Sequence, residues 1–336
     1  MSKAIIITAV LAMGLLWARY GISGEIHDVS ARGDVARVEA LLDQDPALAN
    51  SPGAAGRTPL LYALEAGRSD VALLLLSRGA DARTRDGKGV TALHLAARKG
   101  RDDVVKALLA KAAPLEAKDR DGYTPLWYAI MGEAGKSRDA TARLLISSGA
   151  DQWVAVPGGA TPLHAAALTA SHELMEILVE NAADLYAEGD VMVGEELLAG
   201  VTPLGLAAYR GSALGIEIML SGEGECDLNA SDSRGRAPLL LAAQGLTGKA
   251  VIEKLIKEGA KPAARDKQGR TALHYAAIAW KTGARGQADK EATVRTLVAA
   301  GAPLNQADDN GMTALQLAAS AGNDSLVKLL TELGAV

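Results

Sequence analysis

The 336-residue chain contains no phenylalanine, one cysteine and only 3% aromatic residues. The single cysteine, Cys226, excludes an internal disulfide and leaves the redox compartment open. With few large planar side chains but 49% hydrophobic residues, the interior has to be built from alanine and leucine, which let helices lie close together. Chemistry is scarce as well. There is no nucleophile elbow, no metal-binding helix and no dinucleotide fingerprint. The pair Gly248-Lys249 fails as a phosphate loop, because Ala250 replaces the Ser or Thr and Ala243 stands where the first Gly belongs. No catalytic residue, cofactor or metal is therefore expected, and the chain reads as a non-enzyme. With 35 basic against 40 acidic residues it carries a net −5, which speaks against nucleic acid as the partner.

What the chain does have is repetition. The stretch Thr91-Ala92-Leu93-His94-Leu95-Ala96 is echoed by Thr124-Pro125-Leu126-Trp127-Tyr128-Ala129, and the same opening begins at Thr58, Thr161, Thr202, Ala237, Thr271 and Thr313. The steps between openings are 33, 33, 37, 41, 35, 34 and 42 residues. A constant floor with occasional additions predicts a repeat solenoid, not a single globular core.

One unit can be built from its residues. The Thr hydroxyl can cap a helix, and Pro59, Pro125, Pro162, Pro203 and Pro238 stand at the first helical position, where a missing amide hydrogen costs nothing. Gly67, Gly100, Gly211, Gly245 and Gly322 follow about two turns later and suit a helix end. A second run such as Asp103-Val104-Val105-Lys106-Ala107-Leu108-Leu109 has helical apolar spacing and predicts an antiparallel partner helix. Then come Gly-Ala-Asp, as at Gly79 to Asp81, and a polar turn such as Asp119-Arg120-Asp121-Gly122, predicting a β-hairpin that leads to the next Thr. Such a unit can bury its leucines only against neighbours, so units must stack.

The openings, the Val-x-x-Leu-Leu second helix, the Gly-Ala-Asp ending and the Asp-x-x-Gly turn together resemble the ankyrin repeat family, bacterial exported type, over roughly Glu25 to Val336. The resemblance implies an all-α repeat solenoid of helix-turn-helix plus β-hairpin units, about nine in number. Residues 25–57 are then an N-terminal capping unit, 58–312 the inner repeats and 313–336 the C-terminal cap, where Thr331 replaces an apolar residue. Fold alone does not fix function.

Residues 1–24 read as a signal peptide: Lys3, then the uninterrupted apolar run Ala4 to Trp17, then small and polar residues with cleavage expected near Ser23 or Gly24. The rival reading is an uncleaved N-terminal anchor, because an Ala-x-Ala pattern is missing; there is no lipobox cysteine. Either way the repeats are expected outside a bacterial cytoplasm: periplasmic or secreted, or anchored to the inner membrane by this segment. Additions to the repeat fall at Met131 to Asp139, Ala187 to Gly200 and Trp280 to Glu291, and long loops on a rigid scaffold are often functional.

His94, His164 and His274 share the fourth position of the opening, so their spacing is the repeat period and not that of ligands converging on a metal. The resemblance implies that they hydrogen-bond between neighbouring hairpins. His27 and His172 are isolated. In the resembled family partners are held by the concave face, and transferring those positions gives Arg57, Lys88, Arg98, Lys99, Arg120, Arg210, Arg234, Arg236, Lys267 and Arg270, with Glu65, Asp121 and Asp309. That is about +7 on one face, against about −14 elsewhere once Lys3 and Arg19 are lost with the leader. Tyr123, Met131, Tyr209 and Trp280 could supply apolar anchors. The expectation is a monomeric, non-enzymatic scaffold for an acidic protein, with the membrane involved only through an uncleaved leader; the alternative is a membrane-tethered structural spacer or an accessory factor stabilising an envelope enzyme.

Overall fold

The computed structural model describes residues 24–132, 136–222, 226–245, 248–279 and 287–336. The expected leader, with Ala4 to Trp17 and a cleavage point at Ser23, lies outside them, as do Trp280, Lys281 and Arg285. Among the described residues no helix is long and apolar enough to cross a membrane.

The chain divides into two compact units, the first ending at Asp151 and the second beginning at Gln152. In the first, residues 24–32 form helix α1. It is followed by α2 (Val35–Gln44), α3 (Pro59–Glu65), α4 (Ser69–Ser77), α5 (Ala92–Arg98), α6 (Asp102–Ala110), α7 (Pro125–Ile130) and α8 (Lys136–Ser147). The second holds α9 (Pro162–Thr169), α10 (His172–Glu180), α11 (Pro203–Arg210), α12 (Ala213–Ser221), α13 (Pro238–Gly245), α14 (Lys249–Lys257), α15 (Ala272–Ala279), α16 (Gln287–Ala299), α17 (Ala314–Ser320) and α18 (Asp324–Glu332). Short and longer helices alternate. The short ones pack on one another as one layer, α3 on α5 on α7 and α9 on α11 on α13 on α15 on α17, and the longer ones form a second layer.

Local chemistry sets these boundaries. The hydroxyls of Thr91, Thr124, Thr202 and Thr313 accept the amide hydrogen three residues on, which satisfies a donor that the first turn cannot use. The five prolines stand at the starts of α3, α7, α9, α11 and α13, as expected. Left-handed glycines close α3, α5, α11 and α17, whereas Ala170 takes that conformation after α9 and Gly245 is still helical in α13. The inner short helices are mostly buried and small, with Leu93, Ala96 and Ala97 in α5, Ala207 and Ala208 in α11, and Ala242 and Ala243 in α13, whereas the last, α17, buries only Ala314 and Ala318.

The turns differ from the expected β-hairpins. Among the described residues the ordinary ones contribute only isolated bridges, Arg85 to Thr91 and Ala307 to Thr313. Paired strands occur in the addition at Ala187 to Gly200, where β1 (Gly189–Val193) and β2 (Glu196–Val201) run antiparallel. The other two additions lengthen helices: α8 begins at Lys136 and α16 at Gln287, inside segments expected to be loops.

Candidate functional site

Each polar turn is held by its first residue. Asp86 Oδ1 accepts the amide hydrogens of Lys88 (2.8 Å) and Val90 (3.1 Å), and Asp119, Asp232, Asp266 and Asp308 repeat this with the residues two and four positions on. Neighbouring turns are then tied tip to tip: Gly87 N–H donates to Ala55 O, Arg120 to Lys88, Lys267 to Arg234 and Asp309 to Gln268, at 2.8–3.0 Å. The histidines tie them at the base. His94 Nε2 faces Tyr123 O (3.0 Å), His164 Nε2 faces Val201 O (2.8 Å) and His274 Nε2 faces Met312 O (3.0 Å). A carbonyl can only accept, so Nε2 carries the proton, and Nδ1 is left to accept from the backbone N–H of Thr91, Thr161 and Thr271. Burial pushes all three imidazoles below their ordinary value despite those carbonyls, His164 to about 4. They are neutral joints of the fold. Among the described residues no group of three His, Cys, Asp or Glu is placed to hold a metal ion. His27 and His172 also make hydrogen bonds, to Ser51 O (3.0 Å) and Ser212 Oγ (2.8 Å), and burial pushes the Cys226 thiol up to about 11.

The second oxygen of each turn carboxylate decides the fate of several residues expected to meet a partner. Arg57 donates to Asp86 Oδ2 (3.0 Å) and Arg270 Nε lies 3.6 Å from Asp308 Oδ2. Arg98 donates to Glu65 (2.8 Å), and Lys267 Nζ to Ser233 O (2.9 Å). Lys99 is partly buried.

Arg236 requires a correction. Expected on the surface, it is 0% exposed, with Nη2 2.6 Å from Asp232 Oδ2 and Nη1 2.8 Å from Glu196 and 2.6 Å from Gln244. The reason is the β1–β2 insert, which folds back so that Glu196 closes over the guanidinium. Glu196 also accepts from Gln244 Nε2 and the Tyr209 hydroxyl (3.4 Å), and Arg234 lies 3.5 Å away. Burial would raise the Glu196 carboxyl, but hydrogen bonds from Arg236 and Gln244 outweigh it and hold the group below the usual carboxylate range. Tyr209, pushed up by burial and by Glu196, is thus part of an internal network.

Lys88, Arg120 and Arg210 remain exposed, with no side-chain partner among the described residues. The first unit adds three that the sequence reasoning did not select: Arg83, Arg85 and Lys118. Together Arg83, Arg85, Lys88, Lys118 and Arg120 form a cationic ridge on two adjacent turns. Two clefts run through it, one of about 540 Å³ between Arg83, Arg85, Pro114 and Lys118, and one of about 290 Å³ that reaches Arg120. Asp86 and Asp119 are buried and spent on the turns, while Asp81, Glu116 and Asp121 are exposed nearby without an ion pair to any of the five cations, so basic charge is in excess. Arg83, in a turn, and Arg85, in an isolated bridge, are both exposed, while Thr84 between them is half-buried with its hydroxyl 3.4 Å from that of Thr58.

Beside the ridge, Tyr123 and Trp127 pack with ring centroids 5.4 Å apart, and with Met131, 42% exposed, they line a cleft of about 350 Å³ that Arg98 also borders. Tyr128 closes its floor, its ring edge-on to His94 and its hydroxyl 2.8 Å from Asp119 Oδ2.

A family model described as ankyrin repeats (3 copies) matches residues 78–156, 114–189, 204–284 and 246–336, and a single ankyrin repeat model matches 55–87. Among curated proteins, one named as a palmitoyltransferase, ZDHHC13 of Danio rerio, is 33% identical over 173 residues, 51% of this chain and 24% of that protein. The ankyrin repeat and KH domain-containing protein mask-1 of Caenorhabditis elegans is 30% identical over 213 residues, 63% of this chain and 7% of that protein. The neurogenic locus notch homolog protein 1 of Danio rerio is 35% identical over 119 residues, 35% of this chain and 4% of that protein. The chain thus spans under a quarter of the length of each of these relatives.

Proposed function

Because the chain belongs to the ankyrin-repeat family, we propose that it is a non-enzymatic protein-binding module that takes an acidic partner on the ridge of its first unit. The observation that carries this reading is the set of five exposed cations, Arg83, Arg85, Lys88, Lys118 and Arg120, with no acidic side chain pairing them among the described residues. A patch with basic charge in excess steers a partner of the other sign, and the adjoining Tyr123, Trp127 and Met131 offer the apolar contact that charge alone lacks. The basic face is narrower than the sequence suggested, since Arg57, Arg98, Arg236 and Arg270 are engaged within the chain.

The leader supports export: Lys3 followed by Ala4 to Trp17 has the length of a signal sequence. On this reading the module works in a bacterial envelope, in the periplasm if the leader is removed and at the inner membrane if it stays. N-terminal sequencing of the protein purified from envelopes separates the two, because a start near Ser23 or Gly24 rules out the tether.

Crosslinking capture from the same fraction, with wild type beside Arg85→Glu with Arg120→Glu, tests the binding reading. The two side chains are exposed, so helical circular dichroism should be unchanged while an acidic protein is lost from the captured set. Capture of the same set by both proteins would end the assignment to this ridge.

A further inference from the structure

We propose that the second unit carries a separate docking cleft, between α10 and α12, for a basic segment of a partner protein that pairs an arginine or lysine with an aliphatic side chain. The cleft encloses about 780 Å³, and its lining contains no cation.

Its floor is apolar. Leu174, Met175 and Leu178 of α10 turn inward and are buried, while Val179 lies beside Leu185 and Ile218 at the base of the cleft. The space stays open because of a departure from the repeat. After α4, α8, α14 and α16 the second helix of a pair is closed by a left-handed glycine, at Gly79, Gly149, Gly259 and Gly301, and after α6 and α10 by Ala112 and Ala182 in the same conformation. After α12 the chain leaves in extended conformation at Gly222 (φ −62°, ψ 158°), and no Gly-Ala-Asp follows. Gly222 also has to be bare, because a Cβ there would come within 2.8 Å of Val179 Cγ1.

The walls are acidic. Glu176 and Glu180 stand one turn apart on α10, where like charges repel, and Asp184 follows at the next corner. Neither glutamate has an ion-pair partner among the described residues. The imbalance extends along the chain: residues 144–233 contain fourteen Asp and Glu and a single basic residue, Arg210. At the rim, Tyr186 is 50% exposed, its N–H held by Asp184 Oδ1 (2.9 Å), and Trp153, 55% exposed, donates from Nε1 to Ala182 O (3.3 Å).

Charge complementarity selects the occupant. A long basic side chain can lay its methylene stem along Val179 and Leu185 and place its head among the three carboxylates, beside an aromatic ring whose face attracts cations. An aliphatic neighbour would fill the floor over Ile218. This cleft shares no residue with the cationic ridge and does not depend on the reading of that ridge.

The test is selection of random dodecapeptides displayed on phage against the immobilised full chain. The selected sequences should pair Arg or Lys with Leu, Ile or Val within about four residues. Synthetic copies should quench Trp153 and bind at least about tenfold more weakly to Glu176→Gln with Glu180→Gln, and to Tyr186→Ala. All three side chains are exposed, so these variants keep the fold, which circular dichroism confirms. Three results would overturn the proposal: no enrichment over background, enrichment without a basic bias, or equal affinity for the variants. A concentration-dependent dimer in sedimentation that Glu180→Arg abolishes would also overturn it, by making a second copy of the chain the occupant.

Discussion

Glu196 Oε1 lies 2.8 Å from Nη1 of Arg236, a residue forty positions later whose guanidinium is sealed from solvent. The contact joins the β1–β2 insert to the next turn and fixes where the insert lies. Asp232, itself buried, supplies the second carboxylate at 2.6 Å.

Removing one partner of such a buried pair leaves an uncompensated charge. Asp232→Ala should therefore cost about 3–5 kcal/mol. Glu196→Gln, which keeps an acceptor at a partly exposed site, should cost about 1 kcal/mol. Urea melts of the two variants check the ranking, and equal losses would mean that the insert contributes as much as the turn.

The three bridging histidines make stability depend on pH. Their folded values lie below the unfolded one, His164 at about 4, so the unfolded chain binds protons first as pH falls. Their contribution is complete above pH about 6.5 and is lost progressively toward pH about 4, by roughly 3 kcal/mol for His164 alone. Urea melts across that window should show the decline. The His164 imidazole resonances should titrate near 4, and a midpoint close to the ordinary histidine value would contradict its burial.

Gly89 has a φ of +82°, and a Cβ there would come 3.2 Å from Asp119 Cα on the next turn. Gly89→Ala should cost about 1–2 kcal/mol through backbone strain. It should also weaken acidic-partner binding, because it displaces the turn that carries Arg120. Thermal melts and the capture experiment together check both effects.

Tyr128 donates to Asp119 Oδ2, and burial together with that carboxylate pushes its phenol well above the ordinary tyrosine value; Tyr275 repeats the arrangement on Asp266 at 2.6 Å. Tyr128→Phe should lose about 1 kcal/mol. In an alkaline absorbance titration both phenols should ionise only after the protein unfolds.

Much of this fold could be read from the sequence because each rule acts within one repeat. The threonine caps, the prolines at first helical positions and the histidine joints depend on neighbours three residues away or one period away; the prolines and the three joints are found where expected, as are the caps at Thr91, Thr124, Thr202 and Thr313, whereas Thr58 makes no cap hydrogen bond. The site was harder to read because its charges are assigned by contacts that break the period. Arg57 and Arg270 look like surface cations until the carboxylate of the following turn is placed beside them. Arg236 is engaged by Glu196, whose position depends on how an irregular insert folds back. Arg83, Arg85 and Lys118 precede the turn aspartate and lie away from the turn glycine, so the repeat positions that flank that glycine do not include them.

The clamp that Asp86 and Asp119 place on their own turns also bears on kinetics. A tip whose amides are already satisfied has little conformational freedom left to lose at encounter. Association at the ridge should then be a single bimolecular step, its rate set by ionic strength through the charges of Arg85 and Arg120 and not by a slow rearrangement afterwards.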